Sequence, residues 1–393
     1  MSVAAPLPQP LRILHITRNL PPLRGGMERL NFHVATELSK QFTVSVVGPA
    51  GCQKELPANI DALEVISLPL WRFLWGALVA SIRTARRVRP DVVLAGSGLV
   101  APFAWIAARL ASARLVVYVH GLDLIVSSRI YRWFWLPFIR RANLCISNSA
   151  YTARLAETCG VPATRITIIH PGVDLPAIND KVAADFRAQF NLGTRPVLLS
   201  VGRLIARKGL LEFVENALST IVRAYPDICL LVLGDELPAL LHGTSIGLGD
   251  RIRRKAAELG LQTNLLFIGP RDDDTLAGAY AAADVHVFPV REVIGDVEGF
   301  GMVAVEAAAH GVPTVGFAVG GVPDAVESDV SGQLQPPGAY DKLANSVLEY
   351  LSKRNDGEVR LRARGFAERF AWHQFGVTLR RALAGSALPD KAT

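Results

Sequence analysis

The stretch PVLLSVGRLIARKGL, residues 196–210, reads as an apolar strand that ends at Gly202 and gives way to a basic turn before a helix. Its aliphatic run, with no polar alternation before Ser200, is the pattern of a parallel strand covered on both faces. Gly202 and Gly209 give the connecting backbone freedom that other residues lack. Between them stand two cations of different kinds. Arg203 offers a planar fork for paired phosphate oxygens, and Lys208 offers a point charge. Together they suit a diphosphate, bound at rest or gaining charge as it departs.

The same alternation extends in both directions. Strand-like runs fall at 11–17, 43–48, 63–68, 91–95, 114–120, 144–147 and 166–169, then at 196–202, 229–234, 265–269, 285–289 and 313–317. Helical patterns such as 27–40, 210–225 and 303–310 lie between them. This is the rhythm of a doubly wound α/β fold. It pauses once, over the polar stretch 173–195, which contains Pro176 and Gly193. The expected division is therefore a first domain at 1–190 and a second at 191–370. At 393 residues, half of them hydrophobic, the chain has material for two cores. In such folds ligands bind beyond the carboxyl ends of the strands, so functional residues are sought there.

Three further places meet that criterion. After the strand at 285–289 comes Asp296-Val297-Glu298-Gly299-Phe300-Gly301-Met302-Val303, then Glu306. The glycines allow close backbone approach, and a helix starting near Gly301 offers free N–H groups to phosphate. Glu298 lies before that start. Glu306, expected about two turns inside among small apolar neighbours, needs polar partners. Carboxylates so placed suit sugar and ribose hydroxyls. After the first strand, Gly25 and Gly26 form a turn that opens a helix. After the strand at 114–120, His120-Gly121 places an imidazole at a strand end. Asp272-Asp273-Asp274 mimics an acidic metal motif, but it opens a helix, and capping explains it better.

The ordered set resembles the family-4 retaining glycosyltransferases. The residues that carry the resemblance are Gly25-Gly26-x-Glu28, His120-Gly121, Ser147-Asn148-Ser149, Pro171-Gly172-Val173-Asp174, Gly202-Arg203-x4-Lys208-Gly209, Glu298-x7-Glu306 and Gly320-Gly321-x-Pro323-Asp324. They span residues 11 to about 330 in the family's order. Asp324 stands where many relatives have glutamate.

The resemblance implies a GT-B fold: two Rossmann-like doubly wound domains facing a central cleft. A C-terminal helix near 371–388 would pack back on the first domain. The implied reaction moves a hexose from a nucleotide-diphosphate sugar to a lipid-linked saccharide or glycolipid. Arg203 and Lys208 would bind the diphosphate, and Glu306 the ribose. Glu298, with the backbone of Gly299, Phe300, Gly301, Met302 and Val303, would hold the sugar and phosphates. Gly25 and Gly26 would close over the phosphates, and His120 would sit by the sugar and help the departing group. Base recognition would fall near residues 269–271. No cofactor and no essential metal are implied, because basic residues and helix ends replace the metal. The stretch 289–306 is similar to bacterial relatives that use GDP-mannose in glycolipid, exopolysaccharide or O-antigen synthesis. UDP-linked sugars, such as UDP-GlcNAc or UDP-glucose, are the alternative donors, and a sugar-nucleotide epimerase is the rival activity on the same fold.

Charge and composition bound the partners. Residues 1–170 hold 19 Lys and Arg against 8 Asp and Glu, and the remainder 23 against 27. Two first-half segments mix arginine with tryptophan and phenylalanine: 68–90 and 129–141. That is the composition of an interfacial segment. No window reaches the length of a membrane span, since Arg72 interrupts the nearest, at 68–82. The first 17 residues lack the basic-then-apolar order of a signal peptide. Cys52, Cys145, Cys159 and Cys229 are not spaced as a metal or redox site, which suits a reducing compartment. The reading is a cytoplasmic protein held peripherally on the inner face of the membrane. With no nucleic-acid module beside the basic surface, nucleic acid is not an expected partner.

Overall fold

A computed structural model describes residues 10–126, 128–234, 247–270 and 272–385. The chain divides into two compact units. One comprises residues 1–172 with 372–393, and the other residues 173–371.

The sheet of the first unit has seven strands: β1 (Arg12–Ile16), β2 (Thr43–Pro49), β3 (Asp61–Val65), β4 (Val92–Ala95), β5 (Arg114–Val119), β6 (Leu144–Ser147) and β7 (Ile166–Ile168). Their order is β3-β2-β1-β4-β5-β6-β7, all parallel. The sheet of the second unit has six: β8 (Val197–Val201), β9 (Cys229–Leu233), β10 (Leu265–Gly269), β11 (Val285–Phe288), β12 (Thr314–Phe317) and β13 (Gly332–Gln335). Their order is β10-β9-β8-β11-β12-β13, again all parallel. Both sheets are doubly wound. The winding reverses between β1 and β4 in one and between β8 and β11 in the other, and each reversal opens a crevice at the carboxyl edge.

Every strand expected from the apolar runs is present. β13 was not foreseen: Gly332-Gln333-Leu334-Gln335 has one apolar side chain, and only its edge pairing with β12 makes it a strand. The helix expected at 210–225 forms in three parts: α-helix Leu210–Phe213, a wider π turn Val214–Leu218, and α-helix Ser219–Ala224. The units part at 172/173 and at 371/372, not at 190/191. Helix Asp180–Gln189 accounts for the shift, because it packs on helix Asp273–Ala282 of the second unit, with Phe186 filling the space over Gly278. Helix Trp372–Gly385 belongs to the first unit and lies on helix Gly26–Ser39. Trp372 stacks on His33 with ring centroids 3.7 Å apart, and Arg380 donates to the buried Glu37 carboxylate at 2.9 Å. Residues 386–388 of that expected helix lie outside the described residues.

The first core joins Leu14, Ile16, Val93 and Val117 of the sheet to Phe73, Ala77 and Ala104 of covering helices. The second joins Leu198, Leu230 and Val287 to Phe213, Leu218, Ile252 and Val347. Each fully buried aliphatic or phenylalanine side chain is worth about 1.5–3 kcal/mol of transfer free energy.

Two histidines are enclosed completely. Burial lowers His15 in β1 to about 4. Burial, with the Lys208 charge adding to it, lowers His286 in β11 to about 3. Both are neutral when folded, while the unfolded chain protonates them near its usual value of about 6.5. Unfolding therefore takes up protons below that value, and stability falls as the pH drops from about 6.5 toward 4, by at most about 1.4 kcal/mol per pH unit and histidine. Denaturant titrations at pH 7.5, 6, 5 and 4 check this. An unfolding free energy unchanged between pH 7 and 5 would contradict neutral burial.

Candidate active site

The second crevice is built by backbone that only glycine permits. Gly209 has φ +68°, and a Cβ there would lie 1.9 Å from the Pro289 carbonyl oxygen. The turn after β8 thus rests directly on the chain leaving β11, and Arg291 N–H donates to Arg207 O at 2.8 Å. Across the loop, a Cβ on Gly321 would lie 2.1 Å from Gly299 O, and Gly321 N–H donates to Glu298 O at 2.8 Å. Gly320 and Gly321 are therefore the seat of the 298–300 loop.

Between these supports lies a cluster of four charges. Lys208 Nζ donates to Glu298 Oε2 at 2.8 Å. Arg207 donates through Nη1 to the same oxygen and through Nε to Asp296 Oδ1 at 2.9 Å. The Lys208 ammonium also lies 4.6 Å from the Phe288 ring centroid. Burial pushes the Glu298 carboxyl up, but Lys208 and Arg207 outweigh it and bring it down to about 2. Burial lowers the Lys208 ammonium, and Glu298 restores only part of the shift. Arg203 is exposed, and its side chain has no partner among the described residues.

Lys208 and Glu298 are thus brought together, while Arg203 stands clear of them. Arg207 was not singled out on sequence grounds, although it is 5% exposed in a loop. The available signal was a second cation beside Lys208, with Asp296 two residues before Glu298.

The helix after this loop is Met302–Ala309, and Gly301 begins it at φ +103°. The first-turn amides of Met302 and Val303 have no intrahelical acceptor and open toward the crevice edge. Glu306 is the fifth residue of the helix, so it lies little more than one turn inside, not two. Its carboxylate accepts from the Tyr280 hydroxyl at 3.0 Å, and Tyr280 stacks on His310 at 4.9 Å. Tyr280 too was missed, since nothing in Gly278-Ala279-Tyr280 marks a hydroxyl that meets a carboxylate. Asp272 caps helix Asp273–Ala282 by accepting from Thr275 N–H at 2.9 Å. Arg271, within the stretch expected to meet the base, lies outside the described residues.

The first unit holds the remaining candidates around its own crevice. Gly25 and Gly26 open helix Gly26–Ser39, and Glu28 folds back so closely that a Cβ on Gly25 would lie 2.4 Å from its Oε2. Asn19 donates to the other Glu28 oxygen at 2.7 Å. His120 is buried at the end of β5, and its Nε2 lies 2.9 Å from Gly96 O. A carbonyl only accepts, so Nε2 donates to it, and Nδ1 is the ring nitrogen left for another partner. Gly96 is itself enforced: a Cβ there would meet Asn31 Oδ1 at 2.1 Å and His15 Cε1 at 2.9 Å.

Two family models match the chain: Glycosyltransferase Family 4 over residues 24–176 and Glycosyl transferases group 1 over residues 182–368. A GDP-mannose-dependent alpha-(1-6)-phosphatidylinositol monomannoside mannosyltransferase of Mycobacterium tuberculosis is 30% identical over 366 residues, 88% of this chain and 90% of that protein. A D-inositol 3-phosphate glycosyltransferase of Mycolicibacterium smegmatis is 30% identical over 231 residues, 58% of this chain and 50% of that one. Among solved structures, Anabaena HepE in complex with UDP-glucose superposes with TM-score 0.76 at 22% identity, covering 95% of this chain and all of that one. A glycosyltransferase from Rickettsia africae gives 0.77 at 19%, covering 97% and 100%. The last two likenesses are of fold: two parallel-sheet α/β domains of GT-B type.

The shared carboxylate makes a graded prediction. Glu298→Gln strips both Lys208 and Arg207 of their common charged acceptor and is expected to cost roughly 1–3 kcal/mol of stability. Lys208→Met leaves Glu298 with Arg207 and should cost less. Denaturant midpoints compare the two, and a greater loss for Lys208→Met would contradict the shared pairing.

Proposed function

The chain belongs to the family-4 glycosyltransferases, and we propose that it is a retaining enzyme that moves mannose from GDP-mannose to a glycolipid or lipid-linked saccharide at a membrane surface. That it is a glycosyltransferase follows from the family. The observation that supports the site assignment is the meeting of the Lys208–Glu298 pair with the open N-terminus of helix Met302–Ala309 at the β8/β11 crevice. Fixed cations and undonated amides are what a departing diphosphate requires.

In this reading Arg203 and Lys208 bind the diphosphate, with the first-turn amides of Met302 and Val303 beside them. Glu306, held by Tyr280, accepts from the ribose hydroxyls, and Glu298 with Gly299, Phe300 and Gly301 holds the sugar. Gly25 and Gly26 bring helix N–H groups to the phosphates. His120 meets the sugar, and its proton position refines its part. With Nε2–H committed to Gly96 O, Nδ1 is the nitrogen that meets the sugar. In the transfer step the sugar–phosphate C–O bond breaks and the acceptor oxygen bonds to the same carbon on the same face. The acceptor proton passes to the departing phosphate oxygen, which leaves a nucleoside diphosphate. No metal and no cofactor take part.

GDP-mannose comes first among donors because the mycobacterial relative that matches 88% of this chain is named for it. The acceptor class has the same support. The first unit adds a physical reason. Helix Leu70–Val88 leaves β3 and helix Arg129–Phe134 follows β5, so both start from the carboxyl edge of a parallel sheet. That edge also carries Gly25, Gly26 and His120. There Trp71, Trp75 and Trp133 are 59%, 67% and 77% exposed, and helix Arg129–Phe134 buries none of its residues. Exposed indoles beside Arg72, Arg129 and Arg132 fit an anionic lipid interface, where aromatic rings sit among headgroups and arginines meet phosphate. No helix among the described residues is long and apolar enough to cross a membrane. The contact we propose is peripheral, made by these exposed indoles and arginines.

Two measurements test this. A thermal-shift panel of GDP-mannose, UDP-glucose, UDP-GlcNAc, TDP- and ADP-sugars should show the largest rise in melting temperature with GDP-mannose, and transfer to a lipid acceptor should persist in excess EDTA. A larger rise with a UDP-sugar would move the donor to that class, and epimerised donor released without acceptor would overturn the transferase. In flotation, the protein should rise with anionic liposomes at low salt, while Trp71→Ser/Trp75→Ser/Trp133→Ser should stay at the bottom. No difference between them would refute the surface.

A further inference from the structure

We infer that Arg207 is a positioning residue of the donor site: it holds Glu298 ionised and aimed while Lys208 is drawn from that carboxylate to the donor diphosphate. The inference rests on the donor site proposed above and goes beyond it in assigning a residue that contacts no substrate.

The argument starts from a conflict in the observed pairing. Lys208 is to bind phosphate, yet its ammonium is bonded to Glu298 Oε2 at 2.8 Å. A carboxylate and a diphosphate compete for one cation. If Lys208 were the only counter-charge, donor binding would leave Glu298 buried, unpaired and beside two further negative charges, which would favour protonation or displacement. Arg207 removes that outcome. Its guanidinium reaches the same Glu298 oxygen from the buried side, and its Nε stays on Asp296. The fork geometry lets one cation hold two carboxylates at once, which an ammonium at the same place cannot match. Arg207 is too enclosed to meet a ligand itself, at 5% exposure.

The backbone makes the arrangement stiff. Residues Ala206–Lys208 form a single 3-10 turn, and Arg207 O accepts from Arg291 N–H, so the arginine is anchored to the loop it neutralises. The other charged or titratable groups around the Lys208–Glu298 pair are Asp296 on the Glu298 loop, and, acting on or felt by Lys208, Arg203 after β8 and His286 in β11, which is neutral. Arg203 also lowers Lys208, and it is exposed and available to diphosphate. Once the donor is seated, Arg203 and Lys208 serve the diphosphate while Arg207 serves Asp296 and Glu298.

The test uses the full chain and compares Arg207→Gln, Arg207→Lys and Asp296→Asn with the parent. GDP and UDP binding to the parent, measured by calorimetry, comes first; if neither binds, the donor site itself is wrong and the inference falls with it. Given binding, Arg207→Gln is expected to raise the donor KM at least ~10-fold with a smaller change in kcat, since one lost charge-assisted hydrogen bond is worth roughly that factor. It should also move the acid limb of kcat/KM upward, because Glu298 loses a cation that keeps it ionised. Arg207→Lys should recover part of both effects. Asp296→Asn, which leaves Arg207 wholly to Glu298, should shift neither KM nor the acid limb upward. If Arg207→Gln fails to fold, the Arg207→Lys and Asp296→Asn profiles decide: a partial upward shift in the first with none in the second supports the assignment. A lower melting temperature with unchanged KM and acid limb in Arg207→Gln, or equal upward shifts in Arg207→Lys and Asp296→Asn, would overturn it.

Discussion

Four charges enclosed at the carboxyl edge of the second sheet set the terms for the rest of that unit. Two cations and two carboxylates largely withdrawn from bulk water are tolerable only if each finds its partner, because an unpaired ion there costs more than an exposed pair gains. Arg207 and Lys208 converge on Glu298, and Asp296 takes the remaining arm of the guanidinium. Such pairing requires the turn after β8 and the loop after β11 to hold fixed positions relative to each other. Gly209 lets the first rest on Pro289 O, and Gly321, in the turn after β12, gives the second a seat for its Gly299 O. The glycines are thus consequences of the charge cluster as much as of chain reversal. Their small size allows the backbone to bring the ions within hydrogen-bond range.

Much of this was legible from residue order. Parallel strands covered on both faces leave an unambiguous apolar signature, so β1 to β12 could be read from it, and β13 could not because an edge strand with glutamines has no such signature. The switch-point rule pointed to the loops after β8 and β11. Partner choice was not legible. A linear reading pairs cations by spacing and so groups Arg203 with Lys208, whereas the 3-10 turn puts Arg207 and Lys208 on one carboxylate and leaves Arg203 outside. Tyr280 was invisible for a related reason. Its hydroxyl meets Glu306 across 26 residues of sequence, through the packing of two helices, and no local pattern encodes that. The domain limit was misplaced because residues 180–189 are polar enough to pass for a linker, while buried Phe186, with Arg187 donating to Ala282 O, secures their helix to the second core.

In the first unit the controlling constraint is steric. Gly96 sits where β4 ends, walled by Asn31, Thr17 and His15, and only a hydrogen atom fits in place of a side chain. Its carbonyl is therefore fixed in direction, and the His120 ring orientation follows from it. His15 contributes by being neutral: a protonated imidazole at full burial would need a counter-charge that β1 does not supply, and burial keeps the proton off. A histidine that looks like a second catalytic candidate is thus better understood as part of the wall that aims the first.

The uneven charge of the chain acquires a physical explanation from these two sites. A diphosphate held in a crevice needs a few cations whose charge is otherwise balanced internally, because an excess would bind nucleotide products as firmly as donor. The second unit accordingly pairs Arg207 and Lys208 with carboxylates, and the chain beyond residue 170 carries slightly more acid than base. A lipid surface makes the opposite demand. It is broad, anionic and partly apolar, and it rewards unpaired arginines and exposed indoles that would be liabilities elsewhere. Helices Leu70–Val88 and Arg129–Phe134 present that combination, which in a water-facing helix would leave apolar area exposed without gain. In the proposed reading, the basic excess of the first 170 residues serves the surface that collects the acceptor, and the near-balanced charge of the rest of the chain serves the crevice that releases the nucleotide.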